Sequence, residues 1–433
     1  MLVLLSDGAG LTSRQCATIL ARAGHRVEAL SPAGLRLARM TRHVRRVHDV
    51  PAVGRDPLGW LDAALDVAVR RGADVLLPVQ EQAAVMALGL DRIEAAGLAT
   101  AVPSFAGLAQ VQDKVTAYRT LARIGLPQPS AVIAASAAEL VAAGETGRAA
   151  FVKTPIGTAS AGVQRIGSRE EFRALAADYE QRGAFAGGGV LVQQPVAGRL
   201  VMVQSVFARG ELVAFHACQR VREGAQGGAS HKLGLDLPGA RDHMAKLGAA
   251  LHWHGALSAD VITGPDGLWF IDINPRLVEP VNALASGVDL TGALLEVATS
   301  GTSRPQPAGR PGMRTHQLLL AVLGAAQRGK RLDVARELAS AAAGLGPYRG
   351  SREELTPVRG DWLAPLPVAA AGLVTLIRPD WWRRLAGGSV GAYSLTPAAW
   401  QEILDYSSRA PRSAGTSTEY GRRISSGTIS SAR

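Results

Sequence analysis

The sequence is poor in cysteine, in aromatic residues and in long apolar runs, and each shortage removes a class of protein. Cys16 and Cys218 are its two cysteines, far apart in a chain of 433 residues. That excludes a disulfide framework, leaves no cysteine metal cluster and fits a reducing cytoplasm. Aromatic residues make up 5% of the chain and do not interleave with basic ones, so no nucleic-acid partner is expected. No uncharged apolar run reaches the ~18 residues of a membrane span. The amino terminus has no basic stretch ahead of its first apolar run, so that run reads as a strand and not as a signal peptide. Acidic residues are also in deficit, 36 against 47 basic, for a net charge of +11. The excess is spread along the chain; it favours anionic ligands without choosing among them. At this length two or three domains are expected.

What is present begins as an α/β alternation. An apolar run at residues 1–5 leads into Ser6-Asp7-Gly8-Ala9-Gly10, then a helix over 13–23 and a strand over 27–30. The loop lacks the full G-x-G-x-x-G spacing, so it reads as part of a doubly wound scaffold and not as a dinucleotide site. Arg36, Arg39, Arg42, Arg45 and Arg46 are expected on a solvated face. A strand over 75–78 ends at Val79-Gln80-Glu81, where an open parallel sheet places its ligand crevice, making Glu81 a candidate substrate contact.

Asp113-Lys114 opens a helix that Gly125-Leu126-Pro127-Gln128-Pro129 stops. A strand over 150–153 runs into Thr154-Pro155-Ile156-Gly157-Thr158-Ala159-Ser160-Ala161-Gly162. Such a small-residue loop lets backbone amides approach phosphate oxygens, and Lys153 adds a point charge. No Walker A lysine follows. A strand over 190–196 and a hairpin over 201–218 come next. Residues 219–232 are Gly-rich and read as a mobile polar loop, whose Arg220, Arg222 and Lys232 suggest an anion nearby.

Residues 260–276, D-V-I-T-G-P-D-G-L-W-F-I-D-I-N-P-R, read as two strands around a turn. A three-residue loop of Pro265, Asp266 and Gly267 would set Thr263 against Trp269 and Asp260 against Asp272. Side chains alternate along a strand, so Asp272 and Asn274 share a face with Asp260 across from them. Two carboxylates so close repel unless a cation joins them. All-oxygen donors in small number suit Mg²⁺, or Mn²⁺ in its place, that also holds substrate phosphates. Arg276 adds a charge for a phosphate or carboxylate.

Taken in order, these pieces resemble the ATP-grasp superfamily, its carbamoyl-phosphate-synthase-like or carboxylate–amine ligase branch, over roughly residues 1–300. The resemblance rests on D-K at 113–114, G-L-P-Q-P, F-V-K-T-P-I-G-T-A-S-A-G-V, V-L-V-Q-Q-P-V-A-G, R-V-R-E-G-A-Q-G-G-A-S and D-I-N-P-R. It implies an α/β fold: a Rossmann-like domain over 1–108, a two-lobed ATP-grasp fold over 109–300 with its lid near 128–192, and a linker over 301–312. A mainly helical extension over 313–406 would follow.

The resemblance also implies roles. Lys114 and Lys153 would contact ATP phosphates, and Gly157, Ser160 and Gly162 would belong to the loop that closes over them. Gln193, Gln194 and the backbone near Val196 would line the adenine slot. Asp260, Asp272 and Asn274 would hold Mg²⁺. Arg276 would face the transferred phosphoryl group, with Arg220 and residues 227–230 over the acceptor. The implied reaction activates a small-molecule carboxylate as an acyl phosphate for an amine, releasing ADP. Three departures stand out: Asp272 where Glu is commonest, Gln193 or Gln194 where many relatives carry Glu, and Thr154 inside the usual Lys-Pro pair. Asp272 and the unassigned last third keep open a catalytically weak ATP-binding regulatory or assembly protein, and an enzyme with a non-amine acceptor is a third reading.

Residues 362–377 are apolar but interrupted by Pro365 and Pro367, and run into Arg378-Pro379-Asp380-Trp381-Trp382-Arg383-Arg384. The preferred reading is a helix packed on the body with its Trp side chains in the core. Two Trp beside three Arg also resemble an interfacial anchor, which leaves open a peripheral contact through 362–384 with the inner face of the membrane. Residues 407–433, rich in Ser, Gly and Arg, are expected to be disordered. Nothing in the sequence sets the oligomeric state.

Overall fold

A computed structural model of the chain describes residues 1–34, 36–158, 161–355 and 360–409. Within these, the strands form three sheets. The first is parallel, in the order Arg46–Asp49, Arg26–Ser31, Leu2–Leu5, Val75–Leu77. Alternation divides its side chains between two layers. Leu4, Leu30 and Leu76 meet Trp60 and Leu61 of helix Pro57–Arg71. Val3, Leu5 and Val27 meet Cys16, Ala17 and Leu20 of helix Leu11–Arg22. The first loop carries its own anion: the buried Asp7 carboxylate accepts from the amides of Ala9 (3.0 Å) and Gly10 (2.8 Å) and from Ser13 Oγ (2.6 Å). The donors that a phosphate would need there are occupied by a side chain.

The second sheet is small and antiparallel, in the order Ala131–Ala134, Val190–Gln193, Ala150–Lys153, Val163–Ile166. Helices Ala137–Gly144 and Arg169–Gln181 cover one face through Leu140, Phe172, Leu175 and Tyr179. A reciprocal cap between Ser168 and Glu171 starts the second of these helices. This lobe has its own core.

The third sheet has seven strands: Gly267–Asn274, Gly255–Gly264, Arg199–Ala208, Glu211–Glu223, Ala229–Leu235, Arg314–His316 and Arg352–Glu353, in that order. Its apolar face, with Val201, Val203, Phe207, Leu257 and Val261, packs on Met244 and Leu247 of helix Pro238–Ala250. Two strands of the last third thus extend the sheet, and that region is not helical alone. Residues 301–312 run pinned beside it: the Gln306 amide donates to Val213 O at 2.7 Å and the Gly312 amide to Gly234 O at 2.8 Å.

Helices Leu318–Gln327, Arg331–Ala342, Leu366–Ile377, Trp382–Tyr393 and Pro397–Arg409 complete the last third. The final helix returns to the first domain, where Trp400 meets Phe105 and Thr396 Oγ1 donates to Gly54 O at 2.6 Å. Residues 407–409, expected to open a disordered tail, are its last turn; residues 410–433 lie outside the described residues.

Several local expectations change. Residues 219–232 are mostly strand, and only 224–228 form a turn. Pairing supplies the backbone partners that a polar Gly-rich stretch was expected to take from water. The anions facing its cations are the chain's own: Arg222 holds Glu337 through two bonds, and Lys232 holds Glu279 and Glu354. Arg39, Arg42, Arg45 and Arg46 are exposed as expected, but Arg36 is buried and paired with Asp49. Trp362 and Trp381 are not in the core, being 73% and 37% exposed, whereas Trp382 packs against it as expected.

Candidate active site

The central hairpin places the acidic groups. Gly264 lies opposite Gly267 with only Pro265 and Asp266 between, so the loop has two residues where three were expected. Thr263 therefore faces Leu268, and Ile262 faces Trp269. Asp260 still faces Asp272, because the ladder skips Ile271. A β-bulge of this kind takes one residue out of register and re-aims its neighbours. The shorter loop and the bulge offset each other, and the carboxylates meet. The bulged residue is used as well: the Ile271 carbonyl accepts from Lys153 Nζ at 2.7 Å. Ser258 faces Asn274, so Asn274 shares the face of the two acids.

Lys153 ends its strand and is 5% exposed. Burial lowers its pKa first, with Lys114 adding to the effect, while Asp272 and Asp260 oppose it. Lys114 is fixed by its helix: Asp113 caps the N-terminus by accepting from the Thr116 amide at 2.7 Å. Its ammonium donates to Gly157 O at 3.0 Å and stands 3.6 Å from Asp272 Oδ1. The Lys114 amide donates to Pro155 O at 2.9 Å, tying helix and loop together.

The loop itself is held by Thr154, the residue that stands inside the expected Lys-Pro pair. Its amide donates to Gly162 O at 2.8 Å and its hydroxyl to Ile156 O at 3.0 Å. Gly162 has φ +76°, and a Cβ on Gly157 would stand 2.0 Å from Ala161 O, so both positions require glycine. Thr158 Oγ1 reaches Glu81 Oε1 at 2.5 Å, which folds the loop toward the first domain. Ser160 lies outside the described residues.

Asp260 is pushed up to about 6, by loss of solvation and then by Asp272; Arg276, Arg220 and Lys153 pull it back down. The pair therefore resists carrying two negative charges. Two facing carboxylates, an amide oxygen on the same face, and nearby cations that only partly offset the acids fit a hard divalent ion. Asp260, Asp272 and Asn274 are the residues that would hold it. Among the described residues no cluster of three His, Cys, Asp or Glu offers another site.

Arg276 Nε lies 3.8 Å from Glu81 Oε1, and its amide donates to Asn274 O at 2.7 Å. Glu81 Oε2 also accepts the Leu395 amide at 2.7 Å, so one carboxylate joins Arg276, the loop and the last third. Arg220 donates to Gly227 O at 2.7 Å and lies 3.4 Å from Glu223.

The nucleotide-side expectations separate. Gln193 is buried and lines a cleft with Lys114, Tyr118, Leu121, Phe270 and Asp272. Gln194 is exposed and lines a different cavity, with Ala131, Thr146 and Arg148. Strand alternation forces that split, so of the two only Gln193 joins the cleft. Val196 is half-buried in the connection between the Val190–Gln193 and Arg199–Ala208 strands.

Sequence reasoning missed two residues near Arg276. Glu279 has φ +40°, uncommon for a side chain of its size, and its carboxylate holds Lys232 and Gln317. Its place three residues after Arg276 is the signal that was available. Tyr393 comes from the last third, and no local pattern announces it.

No family model matches the sequence, and no curated protein does. Solved structures do. The biotin carboxylase domain of Hydrogenobacter thermophilus 2-oxoglutarate carboxylase, in complex with MgADP and bicarbonate, aligns with TM-score 0.57 at 17% identity over 72% of this chain and 73% of that one. A carboxyaminoimidazole ribonucleotide synthase from Aspergillus clavatus, complexed with ATP, gives 0.57 at 15% identity over 73% and 81%. An L-amino acid ligase from Bacillus licheniformis gives 0.51 at 16% over 70% and 77%. At these identities the likeness shows the fold, and the fold is ATP-grasp.

Proposed function

We propose that the chain is an ATP-dependent ligase that activates a carboxylate as an acyl phosphate for attack by an amine. The observation that carries this reading is the convergence of Lys114, Lys153, Asp260, Asp272, Asn274 and Arg276 where the small lobe meets the large sheet. Phosphoryl transfer needs positioning and charge neutralisation more than covalent chemistry, and no side-chain nucleophile is required. Lys114 and Lys153 supply fixed positive charge for the polyphosphate. The 154–162 loop, closed by Thr154 and anchored on Glu81, keeps water from a hydrolysable intermediate. When bound, Mg²⁺ on the two aspartates and Asn274 neutralises phosphate charge. A carboxylate oxygen attacks the γ-phosphorus and ADP leaves; the amine then attacks the acyl carbon, phosphate leaves, and the amine loses a proton. Arg276, steadied by Glu81, faces the charge that develops on the substrate. In this reading Gln193 meets the adenine amino group through its amide oxygen.

The test is ADP release from Mg-ATP with pooled carboxylates, with hydroxylamine to trap the acyl phosphate. A carboxylate-dependent hydroxamate supports the ligase. ATP binding without ADP release across that pool counts for the non-catalytic reading.

We also propose a peripheral membrane contact. No helix among the described residues is long and apolar enough to cross a membrane. Leu366, Leu373 and Ile377 are 47–63% exposed and fall on one face of helix Leu366–Ile377, with Trp362, 73% exposed, just ahead of it. Arg384 lies over the Trp381 ring at 5.1 Å, and Arg378 and Arg383 are exposed beside it. An apolar face rimmed by cations suits an anionic bilayer surface. Sedimentation with phosphatidylglycerol vesicles should exceed that with phosphatidylcholine and fall in Trp362→Ser/Leu373→Ser.

A further inference from the structure

One cavity of this chain is separate from the nucleotide cleft. It holds about 140 Å³ between the first domain, the 224–228 turn and the helices of the last third. Leu37, Met40, Leu320, Leu323, Ala370 and Tyr393 represent a wall that is mainly apolar. The volume is close to the ~150 Å³ of a cavity that takes up a benzene-sized ligand, and the lining, mainly apolar with a few polar groups, is that of a small-molecule site.

Two polar features set its direction. At one end stands Tyr393, packed against the first loop: a Cβ on Gly10 would stand 3.1 Å from the Tyr393 ring and 2.7 Å from Gln80 Nε2. Ser389, one helical turn earlier, donates to Ala9 O at 2.8 Å. Gln80 precedes Glu81, the carboxylate that holds Arg276 and receives the Leu395 amide. The charges of Arg276, Glu81, Asp7 and Glu279 all act on the Tyr393 hydroxyl. The ring thus stands between the cavity and the reaction centre. Arg36, 5% exposed, also lines the cavity. Its Nε donates to Pro32 O at 2.7 Å and one terminal nitrogen pairs with Asp49, while Nη1 has no partner among the described residues. A buried guanidinium donor left free is costly unless a ligand meets it.

The geometry points to this cavity as the pocket for the apolar body of the substrate carboxylate, with its carboxyl end reaching past Tyr393 to Arg276 and a hydrogen-bond acceptor on its body meeting Arg36. The inference rests on the ligase reading and deepens it: the acid is amphiphilic, with a hydrocarbon portion of several carbons. The last third then has a defined task. Helices Leu318–Gln327, Leu366–Ile377 and Trp382–Tyr393 build the side of the pocket that the first domain cannot supply alone.

The test separates the two claims. Acetate, butyrate, hexanoate and octanoate are titrated into the full-length protein by calorimetry, and ADP release is followed with the same acids. Burial of a methylene changes affinity about fourfold, so binding should strengthen by about that factor per added CH₂. Ala370, exposed at the rim, can take a large side chain without disturbing the core. Ala370→Trp should weaken octanoate binding at least tenfold and leave Mg-ATP binding unchanged, and Leu323→Trp should act alike from inside. Affinity that does not rise with chain length, or octanoate binding untouched by both variants, overturns the pocket. Chain-length-dependent binding with no ADP release keeps the pocket and removes the ligase reading. ADP release confined to acetate, with flat binding, does the reverse.

Discussion

Lys232 gives the sharpest test of how the last third is joined to the rest. Its side chain is 1% exposed and contacts Glu279 at 2.5 Å and Glu354 at 2.6 Å. Glu354 is also buried and accepts from Gln15 (2.9 Å), Thr315 (2.5 Å) and Gln317 (2.8 Å). Gln15 belongs to the first domain, Lys232 to the large sheet, and Glu354 to the last third. Three regions therefore meet at one ion-paired cluster. Replacing it by an apolar residue of similar length, Lys232→Met, leaves two carboxylates facing each other without a cation. Breaking a buried ion pair from one side costs about 3–5 kcal/mol, since the remaining charge is neither solvated nor paired.

The pH dependence identifies that cost. In Lys232→Met the carboxylates gain a raised folded pKa, so the folded variant binds more protons than the unfolded chain. Its deficit should be full at pH 7 and shrink as pH falls toward 5. Glu354→Gln in the same background removes the repulsion and keeps an acceptor, and should recover about half the loss. The single and double variants then form a cycle with coupling of about 1–3 kcal/mol. Urea unfolding followed by near-ultraviolet circular dichroism, at pH 7 and pH 5, measures this. A Lys232→Met loss below about 1 kcal/mol, or one equal at both pH values, would refute the reasoning.

Three further outcomes are expected. Asp272→Asn should lower Mg²⁺-dependent ADP formation by about a hundredfold or more and leave thermal unfolding nearly unchanged, because Asp272 is partly exposed and its one ion pair among the described residues is with Lys114; steady-state kinetics and a melting curve check both. Glu81→Gln should lower kcat more than it raises the KM for ATP, since it loosens Arg276 and the Thr158 anchor, and Thr158→Val should reproduce only the loop part. Acid should destabilise the fold through His216 and His231, each lowered to about 4 mainly by burial. A depressed histidine pKa means the unfolded chain binds the extra proton. Stability is therefore full above about pH 6.5 and falls toward pH 4, by as much as about 3 kcal/mol per histidine. His216→Asn and His231→Gln should flatten that slope in a pH series of unfolding curves.

How far the sequence carries is visible in single residues. Turn and alternation chemistry found the hairpin, because strand periodicity is local, but Asp260 meets Asp272 through a two-residue loop and a bulge that offset each other and not through the three-residue loop expected. It missed the bulge at Ile271, which depends on Lys153 arriving from the other lobe to take the carbonyl. Alternation also implies that Gln193 and Gln194 point opposite ways, yet only the packed sheet tells which one faces the cleft. The helix at 114–124 was legible from Asp113 and Gly125, which act within one turn of the chain. Residues 219–232 were misread because polar, Gly-rich composition describes the side chains and not the partner strands; Arg314–His316, some eighty residues on, is what pairs with Ala229–Leu235. The same distance hid the partners of Arg222 and Lys232 and the approach of Tyr393 to Gly10. These contacts are long-range and mostly ionic or aromatic, and neither kind leaves a period in sequence. They lie where the last third meets the first domain, the region whose chemistry the family resemblance does not cover. The individuality of this chain within a common fold is therefore concentrated in contacts that composition and motif do not encode, and variants at Lys232, Glu81 and Ala370 probe it from three sides.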